Sequence, residues 1–144
     1  MRAILNTDGG ARGNPGPAGI GVVLVDERGG VIAEVARSLG HQTNNVAEYE
    51  AVIAGLELAH ASAVTDLVIK IDSELVVRQL NGEWKIKNDR LRQLAVKARA
   101  LMRGFERVEI EHVPRGENAR ADTLANHAMD EAEIVDLPGR EPLF

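Results

Sequence analysis

The run "DLVIKID", residues 66–72, constrains this chain most. It is nearly continuous in apolar residues, of strand length, and ends in a carboxylate. That composition predicts a strand buried within a sheet. Three further strands are expected ahead of it, at 2–8, 19–26 and 31–39, the last two joined by a Gly29-Gly30 hairpin signal. Residues 44–62 carry Tyr49, Val52, Ile53, Leu56 and Ala59 at helical spacing, behind Asn44 or Asn45 as the expected cap. "SELVVRQLNG" reads as a short helix closed by Gly82, and 88–105 as a longer one with Leu91, Leu94, Ala98 and Leu101 on one face. "RVEIEHVP" is a strand that Pro114 ends, and 118–132 a final helix with Asn118 as a plausible cap. Residues 133–144 hold Pro138, Gly139 and Pro142 and read as a tail. The order βββαβααβα, a meander followed by alternation, predicts a mixed α/β sheet with helices packed on it. No linker divides it, so one domain is expected over 1–132.

The absence of cysteine removes thiolate metal sites and a cysteine nucleophile. No apolar stretch reaches the length of a membrane span, so cytoplasmic residence is the default expectation. A net charge of −5 argues against a nonspecific nucleic-acid binder, but the charge is uneven. Residues 78–103 hold eight Lys and Arg against Glu83 and Asp89, a local balance of +6. Such a segment is either a solvated helix exterior or a face that meets phosphates.

Four carboxylates stand where carboxylates are costly. Asp8 lies toward the end of the first strand and leads into "GGARGNPGPAGIG", read as a glycine- and proline-rich loop. Asp72 ends the most apolar strand. If those strands run parallel, both acids sit at the carboxyl edge of the sheet, where α/β folds place ligands. At about 100° per residue, Glu48 falls about 40° from Val52 and so flanks the apolar stripe of its helix, whereas Glu50 and Glu57 point away. Asp122 falls early in the final helix, where the helix dipole favours negative charge. Each acid alone has a structural explanation. Together they point to an all-oxygen site for hard cations such as Mg²⁺ or Mn²⁺.

The stretches "TDGGARGNPGPAGIG", "TNNVAEYEA", "IDSELVV" and "ENARADTLAN" occur in that order between residues 3 and about 130. Together they resemble the type 1 ribonucleases H. The resemblance implies a ribonuclease H-like fold: a five-stranded mixed sheet, with a three-strand antiparallel meander plus parallel strands and helices on both faces. It implies an endonuclease that cuts the RNA strand of RNA–DNA hybrids and leaves 3′-hydroxyl and 5′-phosphate ends. Two Mg²⁺ ions per site, or Mn²⁺, are implied as cofactors. Asp8 and Asp122 would hold the ion on the water side; Asp8, Glu48 and Asp72 would hold the ion facing the leaving oxygen. Asn14 and Asn44, with Asn45 beside them, resemble minor-groove residues of the family. Thr43 and Asn88 resemble a pocket that grips a DNA-strand phosphate. The implied partner is the hybrid duplex, bound by a monomer without a membrane or an obligate protein partner.

Two departures from the family pattern matter. The long basic, Trp-rich protrusion of well-known bacterial members is reduced to "NGEWKIKND", in which Trp84, Lys85 and Lys87 are the expected substrate grip. Trp84 either stacks on a sugar or base or packs against the sheet. The mobile loop histidine of many relatives has no counterpart in the short "PRGEN" loop, so Arg115 is the positional stand-in, and His112 is expected to be a strand residue. The rival readings are a nucleic-acid-binding module that has lost catalysis and another nuclease on the same fold. The intact acid quartet argues against the first; "TNNVAEYEA" with "DGGARGNPGPAG" argues against the second.

Overall fold

The apolar run at 66–72 lies between two strands, as its composition demands. β4 (Asp66–Ile71) pairs in parallel with β1 (Arg2–Ala11) on one side and β5 (Arg107–His112) on the other. β1 also pairs antiparallel with β2 (Gly16–Asp26), and β2 with β3 (Val31–Gln42), so the sheet order is β3-β2-β1-β4-β5. The computed structural model describes residues 1–136. Alternation along the strands sends Leu5, Ile20, Val22, Leu67 and Ile69 into one core. α1 (Asn44–Ala61), α2 (Glu74–Leu80) and α3 (Asp89–Met102) supply the rest of that core. α4 (Ala119–Asp136) follows a 3-10 turn at Arg115–Asn118 and covers the opposite face of β2 and β3. No helix among the described residues is long and apolar enough to cross a membrane.

Several local expectations need correction. The cap of α1 is Thr43, whose hydroxyl accepts the Val46 N–H at 3.3 Å, not Asn44 or Asn45. Asn118 ends the 3-10 turn rather than capping α4, and its side chain is turned to β1. α4 continues to Asp136, so the first four residues of the expected tail are helical. The remainder of that tail lies outside the described residues.

The largest difference concerns the glycine-rich stretch. β1 runs through Gly9 and Gly10 to Ala11, and β2 begins at Gly16, which leaves only residues 12–15 as a loop. Glycine is a poor strand former in isolation, which is why the stretch reads as a turn. A Cβ on Gly9 would lie 2.2 Å from the Ala47 carbonyl oxygen of α1, and one on Gly21 would lie 2.1 Å from that of Ala121 in α4. At these two positions glycine admits a helix backbone, one on each face of the sheet.

Candidate active site

Parallel pairing puts Thr7 opposite Ile71, so Asp8 and Asp72 emerge side by side at the carboxyl ends of β1 and β4. Glu48 enters from the first turns of α1, brought close by the packing against Gly9. One carboxylate oxygen each from Asp8, Glu48 and Asp72 lie within 4.8 Å of one another. Asp122 approaches from the other face of the sheet on α4, and Arg115 lies 3.4 Å from its Oδ1. All four acids and Arg115 line a single cleft of about 420 Å³. His112 is exposed at the end of β5 and does not line it.

Two sets of contacts that escaped the sequence reading hold the α4 arm to the sheet. Asn118, only 1% exposed, donates from Nδ2 to the Thr7 carbonyl at 2.8 Å and accepts from Asn6 Nδ2 at 3.0 Å. Thr7 precedes Asp8, so this pair fixes the start of α4 against the strand that carries the central acid. Arg12, from the short loop after β1, pairs with Asp130 and, at 3.1 Å, with Glu133 on the later turns of α4. Asp122, Asn126, Asp130 and Glu133 share one helical face, and Arg12 and the acidic cleft lie along it.

The electrostatics follow from burial. Asp8 and Glu48 are each 7% exposed. Burial pushes the Asp8 carboxyl up to about 8, helped by the charge of Asp72 and by a hydrogen bond and charge from Asp122, while Arg115 pulls it down. Burial, then the charges of Asp8 and Asp72, hold Glu48 well above the usual carboxylate range. Glu48 Oε2 is buried and has no hydrogen-bond partner among the described residues. Such an orphaned acceptor, within an all-oxygen donor set, fits a hard divalent cation. Cation binding would do for these carboxylates what protonation does without it.

The remaining candidate residues fall into three places. Asn44 lines the acidic cleft; its Oδ1 accepts the Ala11 N–H at 3.4 Å and its own N–H donates to Asn14 Oδ1 at 3.1 Å. Asn14, Thr43, Asn45 and Asn88 line a second cleft of about 410 Å³, together with Arg90. Asn88 caps α3 through Leu91 N–H at 3.0 Å, so the N-termini of α1 and α3 converge there, an arrangement suited to an anion. Trp84 and Lys85 line a third cleft with Arg92 and Arg99. Trp84 is 44% exposed, with the Arg78 guanidinium 5.8 Å from its ring centroid, so it does not pack against the sheet. Lys87 is exposed and lines none of these clefts.

The chain matches the Reverse transcriptase-like family over residues 6–128. It is 48% identical over 133 residues to a bifunctional protein of Mycobacterium tuberculosis, covering 92% of this chain and 36% of that one. It is 50% identical over 125 residues to ribonuclease HI of Halobacterium salinarum, covering 87% and 63%. The chain thus spans about a third of the length of the mycobacterial relative and under two thirds of the archaeal one. The solved N-terminal RNase H domain of the mycobacterial protein superimposes with a TM-score of 0.93 at 45% identity, covering 95% of this chain and 99% of that domain. LC11-RNase H1, solved in complex with an RNA/DNA hybrid, gives 0.86 at 43% identity, with 91% and 99% covered.

Proposed function

The chain belongs to the ribonuclease H family, and on that premise we propose that it hydrolyses the RNA strand of RNA–DNA hybrids to 3′-hydroxyl and 5′-phosphate ends. The observation that supports this reading best is the convergence of Asp8, Glu48 and Asp72 from three separate elements, with Asp122 brought to the same cleft from the far face of the sheet. Asp8 and Asp122 would hold one Mg²⁺ or Mn²⁺ ion, and Asp8, Glu48 and Asp72 a second. When bound, such ions neutralise the scissile phosphate and polarise the water and the leaving oxygen. Asp8 would be common to both sets, and it is held by its strand and by the Asn118 clamp on its neighbour. Asn44 beside the acids would reach a minor-groove edge, and the Thr43–Asn88 cleft would take a phosphate of the DNA strand. Trp84, Lys85 and Lys87 would grip the duplex farther out. A monomer working in the cytoplasm completes the reading.

Strand-labelled RNA–DNA, DNA–DNA and RNA–RNA duplexes, incubated with and without Mg²⁺, test it. Cleavage is expected only in the RNA strand of the hybrid and only with the cation. Hybrid left intact while being bound would favour a binding module on the same fold.

Arg115 would meet a phosphate: it lines the acidic cleft beside Asp122, and its side chain is 79% exposed. It cannot shuttle a proton, so its effect should lie in product release rather than chemistry. Arg115→Ala is expected to lower the multiple-turnover rate several-fold, with a smaller loss in single turnover and weak pH dependence in both. His112→Ala should change neither beyond its effect on folding. A larger loss from His112→Ala, per folded molecule, would show that the histidine is the working residue.

A further inference from the structure

The segment 81–88 between α2 and α3 has no regular structure, yet the last turn of α2 ties it down repeatedly. The N–H groups of Glu83 and Trp84 donate to the Arg78 carbonyl at 2.8 and 3.2 Å. The Arg78 side chain reaches Glu83 at 2.5 Å and faces the Trp84 ring. Ile86 packs against the core.

Gln79 is the deepest of these ties. It is 5% exposed, and both ends of its amide are engaged. Oε1 accepts the Tyr49 hydroxyl at 2.8 Å, and Nε2 donates to the Lys85 carbonyl at 3.3 Å. Its own carbonyl accepts from Arg99 Nη2 at 2.8 Å. A buried amide satisfied at both ends has one orientation, because a flip would set oxygen against the Lys85 carbonyl. Tyr49 follows Glu48 in α1, so one chain of hydrogen bonds runs from the helix of the acid cluster to the basic loop.

We infer that Gln79 is a positioning residue for duplex binding: its grip on the Lys85 carbonyl sets the loop that presents Trp84 and Lys85 before any substrate arrives. The inference rests on the reading of Trp84 and Lys85 as substrate contacts. A loop whose backbone is ordered in the free protein loses less conformational freedom on binding than a loose one, which weakens binding by the difference. A short tethered loop can therefore serve where relatives carry a long protrusion.

Trp84 is the sole tryptophan of the chain, so its fluorescence reports the loop without any substrate. Gln79→Met would leave the Tyr49 hydroxyl buried and unpaired, so the informative variant is Gln79→Met/Tyr49→Phe, compared with Tyr49→Phe alone. In the double variant, acrylamide quenching of Trp84 should increase and its anisotropy fall. KM for a hybrid should rise about fivefold to tenfold, with kcat within about twofold of wild type. Tyr49→Phe alone removes the partner of Gln79 Oε1 and should lower stability, but it keeps Nε2 on the Lys85 carbonyl and should stay close to wild type in quenching and KM. Unchanged quenching in the double variant would overturn the tether. Increased quenching with unchanged KM would overturn the positioning role. A loss confined to kcat would do so too. Failure of the functional reading is separate, since it appears as a wild-type chain that leaves hybrids intact.

Discussion

Asp8→Asn is expected to lower RNA-strand cleavage by about a thousandfold or more while making the metal-free protein more stable at pH 8. The two effects share one cause. Asp8 is buried beside Asp72 and Asp122, and burial with those charges pushes its carboxyl up to about 8, far above the usual carboxylate range of about 4. Between those values the folded chain holds a proton that the unfolded chain has released, so stability falls as pH rises from about 4 to 8. Asparagine keeps the shape and removes the charge. The variant should be clearly more stable than wild type at pH 8 without metal and close to it at pH 4. Thermal unfolding at the two pH values, with chelator present, measures the difference. A variant that is less stable at pH 8 would mean that Asp8 is held by favourable contacts rather than strained by its neighbours.

Gly21→Val should cost much of the chain's stability from a position outside the acid cluster. A Cβ there would lie 2.1 Å from the Ala121 carbonyl oxygen and 2.6 Å from Ala125 N, both backbone atoms that cannot swing aside. α4 must move away from β2, at a cost of about 3 kcal/mol. Because Asp122 lies one residue after Ala121, cleavage per folded molecule should fall by at least about tenfold as well. Gly29→Ala is the contrast. Its φ of +83° makes a side chain costly, but nothing lies within 4 Å of the added carbon. It should cost about 1 kcal/mol and leave cleavage unchanged. Equal activity in folded Gly21→Val would separate α4 docking from the chemistry.

These two glycines also show what could be read in the sequence and what could not. The strand at 66–72, the meander before it and the helical spacing after Asn44 are local patterns, and each appears in the structure near its expected place. The convergence of Asp8, Glu48 and Asp72 was legible because strand ends and helix angles are geometric consequences of those patterns. The role of Gly9 and Gly21 was not, because it depends on helices that begin far along the chain. The same holds for Asn118, whose partner Thr7 is 111 residues away, and for Arg12, which meets α4 at Asp130. Locally, Asn118 reads as a cap and Arg12 as a loop charge. Thr43 was the better cap than its asparagine neighbours, but three polar residues in a row offer no local reason to choose.

On the proposed reading, Asp8, Glu48, Asp72 and Asp122 form one cation-dependent cutting centre. Mg²⁺ titrated into metal-free protein at pH 8, with thermal unfolding and hybrid cleavage followed on the same sample, is the test of that centre. The melting temperature should rise because the cation relieves the repulsion among Asp8, Glu48 and Asp72, and RNA-strand cleavage should begin over the same concentration range. Asp8→Asn should show neither response. Cleavage that proceeds unchanged in excess chelator, or a wild-type melting temperature indifferent to Mg²⁺, would rule out a cation-dependent centre at these acids.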